Sequence, residues 1–217
     1  MIAAVRNPRS MQVASGHYGP ANYDELHRWL SYWHQIQSVA SCRAQNVLEV
    51  GVGSGVLSSY LRSRLGLDVT TFDFDESLHP DLVGDVRELD SFVEEGAFDS
   101  VVAFQVLEHL PFSDFIPALR QLARASRQTV ILSLPHYGYD LQMRFRLWKW
   151  TWAFGRKISK NPAWAFDGEH YWEIGVRGHS LNRVRQAISS VLDIQRAYFC
   201  PDYPYHYFFE CAKHTTS

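Results

Sequence analysis

An α/β fold built on a doubly wound parallel sheet is predicted by three observations. An apolar strand at residues 46–50 runs into glycines at every second position, Gly51, Gly53 and Gly55, and then into a helix that begins at Val56. A second short strand, residues 67–73, ends in an acid, Asp73, 18 positions beyond Gly55. Strands and helices then alternate to the end of the chain, as such a sheet requires. A strand that ends in a glycine turn lets a ligand lie against bare backbone at the carboxyl edge of the sheet, which points to a nucleoside-containing cofactor.

The elements follow in order. Residues 23–39 read as a helix carrying Leu26, Trp29, Leu30, Trp33 and Ile36 or Gln37 at helical spacing. The turn-rich lead-in, residues 15–23, offers Asn22 as a cap, with His17, Tyr18 and Tyr23 as side chains able to close a pocket. After the strands at 46–50 and 67–73, a third at 81–86 carries Asp85. Residues 98–110 hold a fourth strand and an abrupt loop with polar residues among apolar ones. A helix at 115–125 follows the start signal Ser113-Asp114, and a fifth strand spans 129–134. A helix at 180–190 and strands at 191–199 and 205–212 complete the chain.

Spacing and charge narrow the cofactor. In the dinucleotide fingerprint G-x-G-x-x-G the third glycine comes one residue later than Gly55, and here that position is Val56. Glu49, two residues before the first glycine, suits a phosphate poorly but suits the ammonium and sulfonium of S-adenosylmethionine. Asp73 can accept from both ribose hydroxyls, Asp85 can reach the adenine amino group, and the Val86 N–H can reach a ring nitrogen.

The motifs VLEVGVGSG (47–55), TFDFD (71–75), GDV (84–86), FDSVVAFQVLEHL (98–110) and ILSLPH (131–136) together resemble class I S-adenosylmethionine-dependent methyltransferases of the methyltransferase-11 type. The resemblance implies a Rossmann-like, seven-stranded sheet with an antiparallel last strand. It also implies a cofactor site at Glu49, Gly51, Gly53, Gly55, Asp73, Phe74, Asp85, Val86, Gln105 and Val106. The segment FDGEHYWEIG (166–175), with PYHYF (204–208), is similar to a bacterial and archaeal subgroup of that family loosely associated with surface polysaccharides. One domain, 1–217, accounts for the chain: an N-terminal cap (1–45), a cofactor-binding core (46–136), an acceptor lid (139–168), and a C-terminal helix and strand pair (169–217).

Composition constrains partners. Twenty-one Lys and Arg against 23 acids give a net charge of -2, no global field to attract nucleic acid. The N-terminus lacks a secretory core, and no apolar stretch of about 18 residues could span a bilayer, so a cytoplasmic protein is expected. Cys42, Cys200 and Cys211 have no metal-ligand spacing, and no metal is expected. Residues 142–166 differ from the rest, with Trp148, Trp150, Trp152 and Trp164, six Lys or Arg, and no acid. That mixture suits tryptophans packed on the sheet edge, a lid over a sugar or anionic acceptor, or peripheral contact with an anionic membrane.

Methyl transfer to a hydroxyl needs a base, and His109 and His136, each just after a strand tip, are candidates together with His170. Glu108 reads as a loop-orienting residue, and Arg28 or Arg43 as a partner for the methionine carboxylate. O-methylation of a glycan, lipid-linked sugar or small molecule is the expected reaction. N-methylation is the alternative, and a non-catalytic cofactor-binding protein is a further one. An NAD-dependent reductase would carry the later third glycine and a Tyr-x-x-x-Lys pair, which the chain lacks.

Overall fold

The computed structural model describes residues 25–200 and 203–214. The lead-in with His17, Tyr18, Asn22 and Tyr23 lies outside them. Helix α1 spans Leu26–Ser41, and β1 (Asn46–Val50), α2 (Val56–Leu65) and β2 (Asp68–Asp73) follow. Next come β3 (Leu82–Val83), β4 (Phe98–Phe104), α3 (Phe112–Ala125) and β5 (Ser126–Pro135). The chain continues through β6 (Tyr139–Leu147), β7 (Trp150–Ile158), α4 (Leu181–Ser189), β8 (Leu192–Phe199) and β9 (His206–Lys213).

Seven strands form one sheet in the order β3-β2-β1-β4-β5-β9-β8. Strands β1 to β5 pair in parallel, and β9 runs antiparallel to both β5 and β8. The chain moves outward from β1 to β3, then crosses back to β4 beside β1. A crevice opens at the carboxyl ends of β1 and β4, because their connections leave in opposite directions.

The central strands read as continuous apolar runs because both faces are buried. Val47, Val69, Val102 and Ile131 pack on α1 and α2, whereas Leu48, Val101, Val130 and Leu132 pack on the α3 and α4 side with Trp172.

Three elements depart from expectation. The third strand shrinks to two residues because Gly84 turns the chain: a Cβ there would lie 2.7 Å from the Phe92 ring, and Asp85 caps a helical turn over Val86–Ser91. Helix α3 begins three residues early, after Pro111, with Ser113 and Asp114 inside its first turn. Helix α1 turns a different face inward: Leu26, Trp29 and Trp33 are exposed, while Tyr32, Ile36 and Val39 are buried with Ser31, Gln35 and Ser38. Its partners are polar. Ser31 Oγ bonds His206 Nδ1 at 2.6 Å, and Ser38 Oγ donates to Glu210 at 2.8 Å.

The insertion is a separate two-stranded antiparallel ribbon, β6 against β7. Tyr139, Leu141, Met143, Phe145 and Leu147 occupy alternate positions of β6, and the register sets Leu147 opposite Trp150, Phe145 opposite Trp152 and Tyr139 opposite Ile158. One face is therefore apolar except at Arg156, which the register sets opposite Leu141. Its tryptophans do not pack on the sheet edge, since Trp148, Trp150 and Trp152 are exposed. Trp164 alone of the four packs inward, on Tyr137, and donates to the His170 carbonyl.

Candidate active site

The crevice is shaped by backbone before any side chain enters it. Gly51 follows β1 with φ +85°, and a Cβ there would overlap Val106 Cγ2 in the loop after β4. Gly55, at φ +72°, caps α2 in the left-handed region, with open space around it. Across the crevice Gln105 is also left-handed, at φ +57°. Its N–H donates to the Ser133 carbonyl and its side-chain amide to Ser133 Oγ, so β5 holds the strained residue in place.

Two compartments meet at Gly51, Gln105 and Val106. The larger, a cavity of about 330 Å³, is walled by Phe72, Phe74, Val86, Phe92 and Leu110, with Asp73, Asp85, Glu88, Gln105 and His109 as its polar groups. The smaller is polar and is lined by Arg28, Tyr32, Gln35, Glu49, Gly53 and Ser54. Tyr32 Oη and Ser54 Oγ bond across it at 2.8 Å. Of the two arginines weighed for a carboxylate, Arg28 lies here, whereas Arg43 is exposed beyond the far end of α1.

Burial makes the acids informative. Glu49 is 3% exposed, its Oε2 has no hydrogen-bond partner among the described residues, and burial pushes its pKa up to about 8. An orphaned buried carboxylate oxygen is costly unless a cation completes it. Asp73 takes the Val52 N–H on Oδ2 and the Asp75 N–H on Oδ1, fastening the glycine turn to the tip of β2. Each oxygen keeps a second lone pair, and the residue lines the cavity. The expectation that Asp85 reaches an adenine amino group meets a competitor: the Arg87 guanidinium bonds both its oxygens and also pairs with Asp114.

The structure brings together two of the three expected histidines. His109 lines the cavity and donates Nδ1–H to the Glu169 carbonyl, and its ring lies 5.0 Å from that of His170. Burial, with the charge of His170 nearby, pushes His109 down to about 4. His170 donates Nδ1–H to Glu173 at 2.9 Å; burial alone would lower its pKa, but Glu173, with the nearby acids Glu108 and Asp167, outweighs this and raises it. His136 lines neither compartment. It is buried against Phe199 and Tyr207 and donates to the Tyr137 carbonyl, because β5 runs on past the crevice into the bridge with Ile174.

Sequence reasoning missed a buried polar network behind this pair. Glu173 Oε1 accepts from His170 and, at 2.5 Å, from the Tyr205 hydroxyl. Glu108 is completely buried, neither of its oxygens has a partner among the described residues, and its pKa is raised to about 7. Glu108, His109 and His170 each place a potential ligand atom within 4.8 Å of the others, but both histidines already share a ring nitrogen with a protein acceptor. The available signal was FDGEHYWEIG itself, which sets acids on both sides of a histidine.

A family model described as a methyltransferase domain matches residues 20–183. The chain belongs to that family. Among solved structures, the methyltransferase resembles the magnesium protoporphyrin IX methyltransferase of Synechocystis PCC 6803 with bound SAH: TM-score 0.59, 15% identity, covering 87% of this chain and 84% of that one. A S-adenosylmethionine-dependent methyltransferase from Clostridium acetobutylicum ATCC 824 gives TM-score 0.59 and 11% identity over 88% and 96% of the two chains. The CcbJ methyltransferase of Streptomyces caelestis gives 0.57 and 13% over 85% and 90%. These likenesses are of fold. No curated protein matches the sequence. Family and fold together set aside the reductase alternative. No helix among the described residues is long and apolar enough to cross a membrane.

Proposed function

We propose that this methyltransferase methylates a hydroxyl group of a small-molecule or lipid-linked sugar acceptor, with His170 as the base. The methyl donor is S-adenosylmethionine, which when bound supplies an electrophilic methyl carbon on a sulfonium centre. The residues present fit it. Glu49, with its orphaned oxygen, and Arg28 match the ammonium and carboxylate of an amino-acid tail. The cavity walls Phe72, Phe74, Val86 and Leu110 match an adenine, and Asp73 matches a pair of ribose hydroxyls.

The observation that carries the base assignment is the contact chain from the cavity through His109 to His170 and Glu173. Glu173 holds the Nδ1 proton of His170, and the Tyr205 hydroxyl holds Glu173. A proton taken up by His170 is thus stabilised by a carboxylate, the arrangement that suits a histidine to general-base work. His109, kept neutral, orients its neighbour and walls the cavity.

The test is transfer of labelled methyl from S-adenosylmethionine into polysaccharide and lipid extracts, with S-adenosylhomocysteine binding measured in parallel. His170→Ala should lower turnover by about 10²–10⁴-fold with binding unchanged. Full turnover in that variant overturns the assignment. A second reading, an amine acceptor, is favoured by one observation, the two unpartnered oxygens of Glu108. Under it His170→Ala keeps its turnover and Glu108→Gln loses it.

A further inference from the structure

The β6–β7 ribbon is built as a surface element whose apolar face has no described residue over it. The apolar residues of that face named above are each between 47% and 71% exposed, and Trp148 in the turn reaches 83%. The Trp150 and Trp152 rings stack there at 6.5 Å. An isolated two-stranded ribbon is marginal in water, and a contiguous exposed apolar face marks an interaction site. We propose that this face docks on an anionic lipid bilayer, lying flat at the level of the headgroups.

Charge selects the occupant. Residues 142–166 carry six Lys or Arg and no acid, within a chain of net charge -2. Just outside that stretch, Asp140 on β6 is neutralised by Lys157 at 2.8 Å. With Lys157 so paired, two copies meeting would bring ten uncompensated cations near one another, so self-association is disfavoured, whereas a negative surface is attracted. Indole rings beside Lys and Arg are the combination that settles at the boundary between headgroups and acyl chains. Depth is limited by the backbone: both outer edges of the ribbon carry unpaired N–H and C=O groups, which hydrocarbon cannot satisfy but hydrated headgroups can.

The root of the ribbon orients the docked enzyme. Ser159 Oγ donates to the Gly175 carbonyl, and the His136–Ile174 bridge ties the end of β5 to the same segment. That segment also holds Glu173 and His170. A docked ribbon therefore sets the histidine pair beside the bilayer, although membrane binding itself does not depend on the proposed reaction.

The experiment is flotation of the full chain with phosphatidylcholine vesicles, with and without phosphatidylserine, over a range of salt. The parent should float only with phosphatidylserine and should release as salt rises. Arg146→Glu and Lys149→Glu should each weaken partitioning by about fivefold or more, corresponding to about 1 kcal/mol per basic residue. The double variant Trp150→Ala/Trp152→Ala should stay in solution while binding S-adenosylhomocysteine like the parent, which confirms its fold. Failure of the parent to float, equal flotation of the tryptophan variant, or a concentration-dependent dimer abolished by that variant would each overturn the proposal.

Discussion

Phe72, Phe115, Trp172 and Phe209, close to the cleft, are fully buried, whereas the tryptophans of the ribbon stand in solvent. The two regions use aromatic residues in opposite ways. Behind the cleft these rings are packed into the core, although Phe74 and Phe92 at its mouth stay partly exposed, and the unsatisfied groups are polar: one oxygen of Glu49, both of Glu108 and one of Glu173. In the ribbon Asp140 and Lys157 pair with each other, and the apolar face has no cover among the described residues. Each region lacks what its partner would supply, a cation-bearing ligand in one case and a low-dielectric surface in the other.

Stability should separate them most sharply. Phe115→Ala should cost about 3–5 kcal/mol in urea unfolding, because a fully buried ring leaves a cavity; a loss under 1 kcal/mol would mean that the core can collapse around the gap. Next comes pH. Glu49, pushed up to about 8, keeps a proton in the folded chain that the unfolded chain gives up near the ordinary carboxyl value of 4.5. Its stabilising contribution is therefore complete below 4.5 and is lost as pH rises toward 8, with a slope of at most about 1.4 kcal/mol per pH unit. Glu49→Gln should flatten that slope in thermal melts. It should also abolish the rise in S-adenosylhomocysteine affinity expected between pH 6 and 8, where a cationic tail favours the carboxylate.

Gly51→Ala should weaken S-adenosylhomocysteine binding on the order of tenfold or more, since the left-handed conformation costs a side chain about 1–2 kcal/mol before any clash. Adding Val106→Ala should recover the clash but not the conformational part, and calorimetry on the pair divides the two. The smallest effect belongs to the ribbon. Trp150→Ala should shift stability by no more than about 0.5 kcal/mol, and a larger loss would show that the face is covered by the chain itself.

The parallel half of the fold was legible because the middles of β1, β2, β4 and β5 are buried on both faces and read as mainly apolar, β-branched runs, broken by single polar residues such as Glu49 and Ser133. The crevice was legible at Gly51, Gly55 and Asp73, where backbone geometry leaves few residue types. Helix α1 misled because it packs a stripe of Ser31, Gln35 and Ser38 on polar groups of β9, so its tryptophans face outward. The ribbon was read as composition although residues 139–147 alternate strictly, a signal of period two that charge and tryptophan content masked. Glu173 and Tyr205 stand 32 positions apart, and only the fold makes them neighbours.

The bond from Ser31 to His206 spans 175 positions and closes the polar compartment by holding α1 against the last strand. Every residue that lines the larger cavity lies between Val50 and Leu110, and during synthesis all of them emerge long before β9. Helix α1 then has its contact with Ser54 on the crevice side, but its partners His206 and Glu210 arrive with β9. The polar compartment therefore depends on a contact between distant ends of the described chain, whereas the larger cavity is walled by residues 50–110 alone.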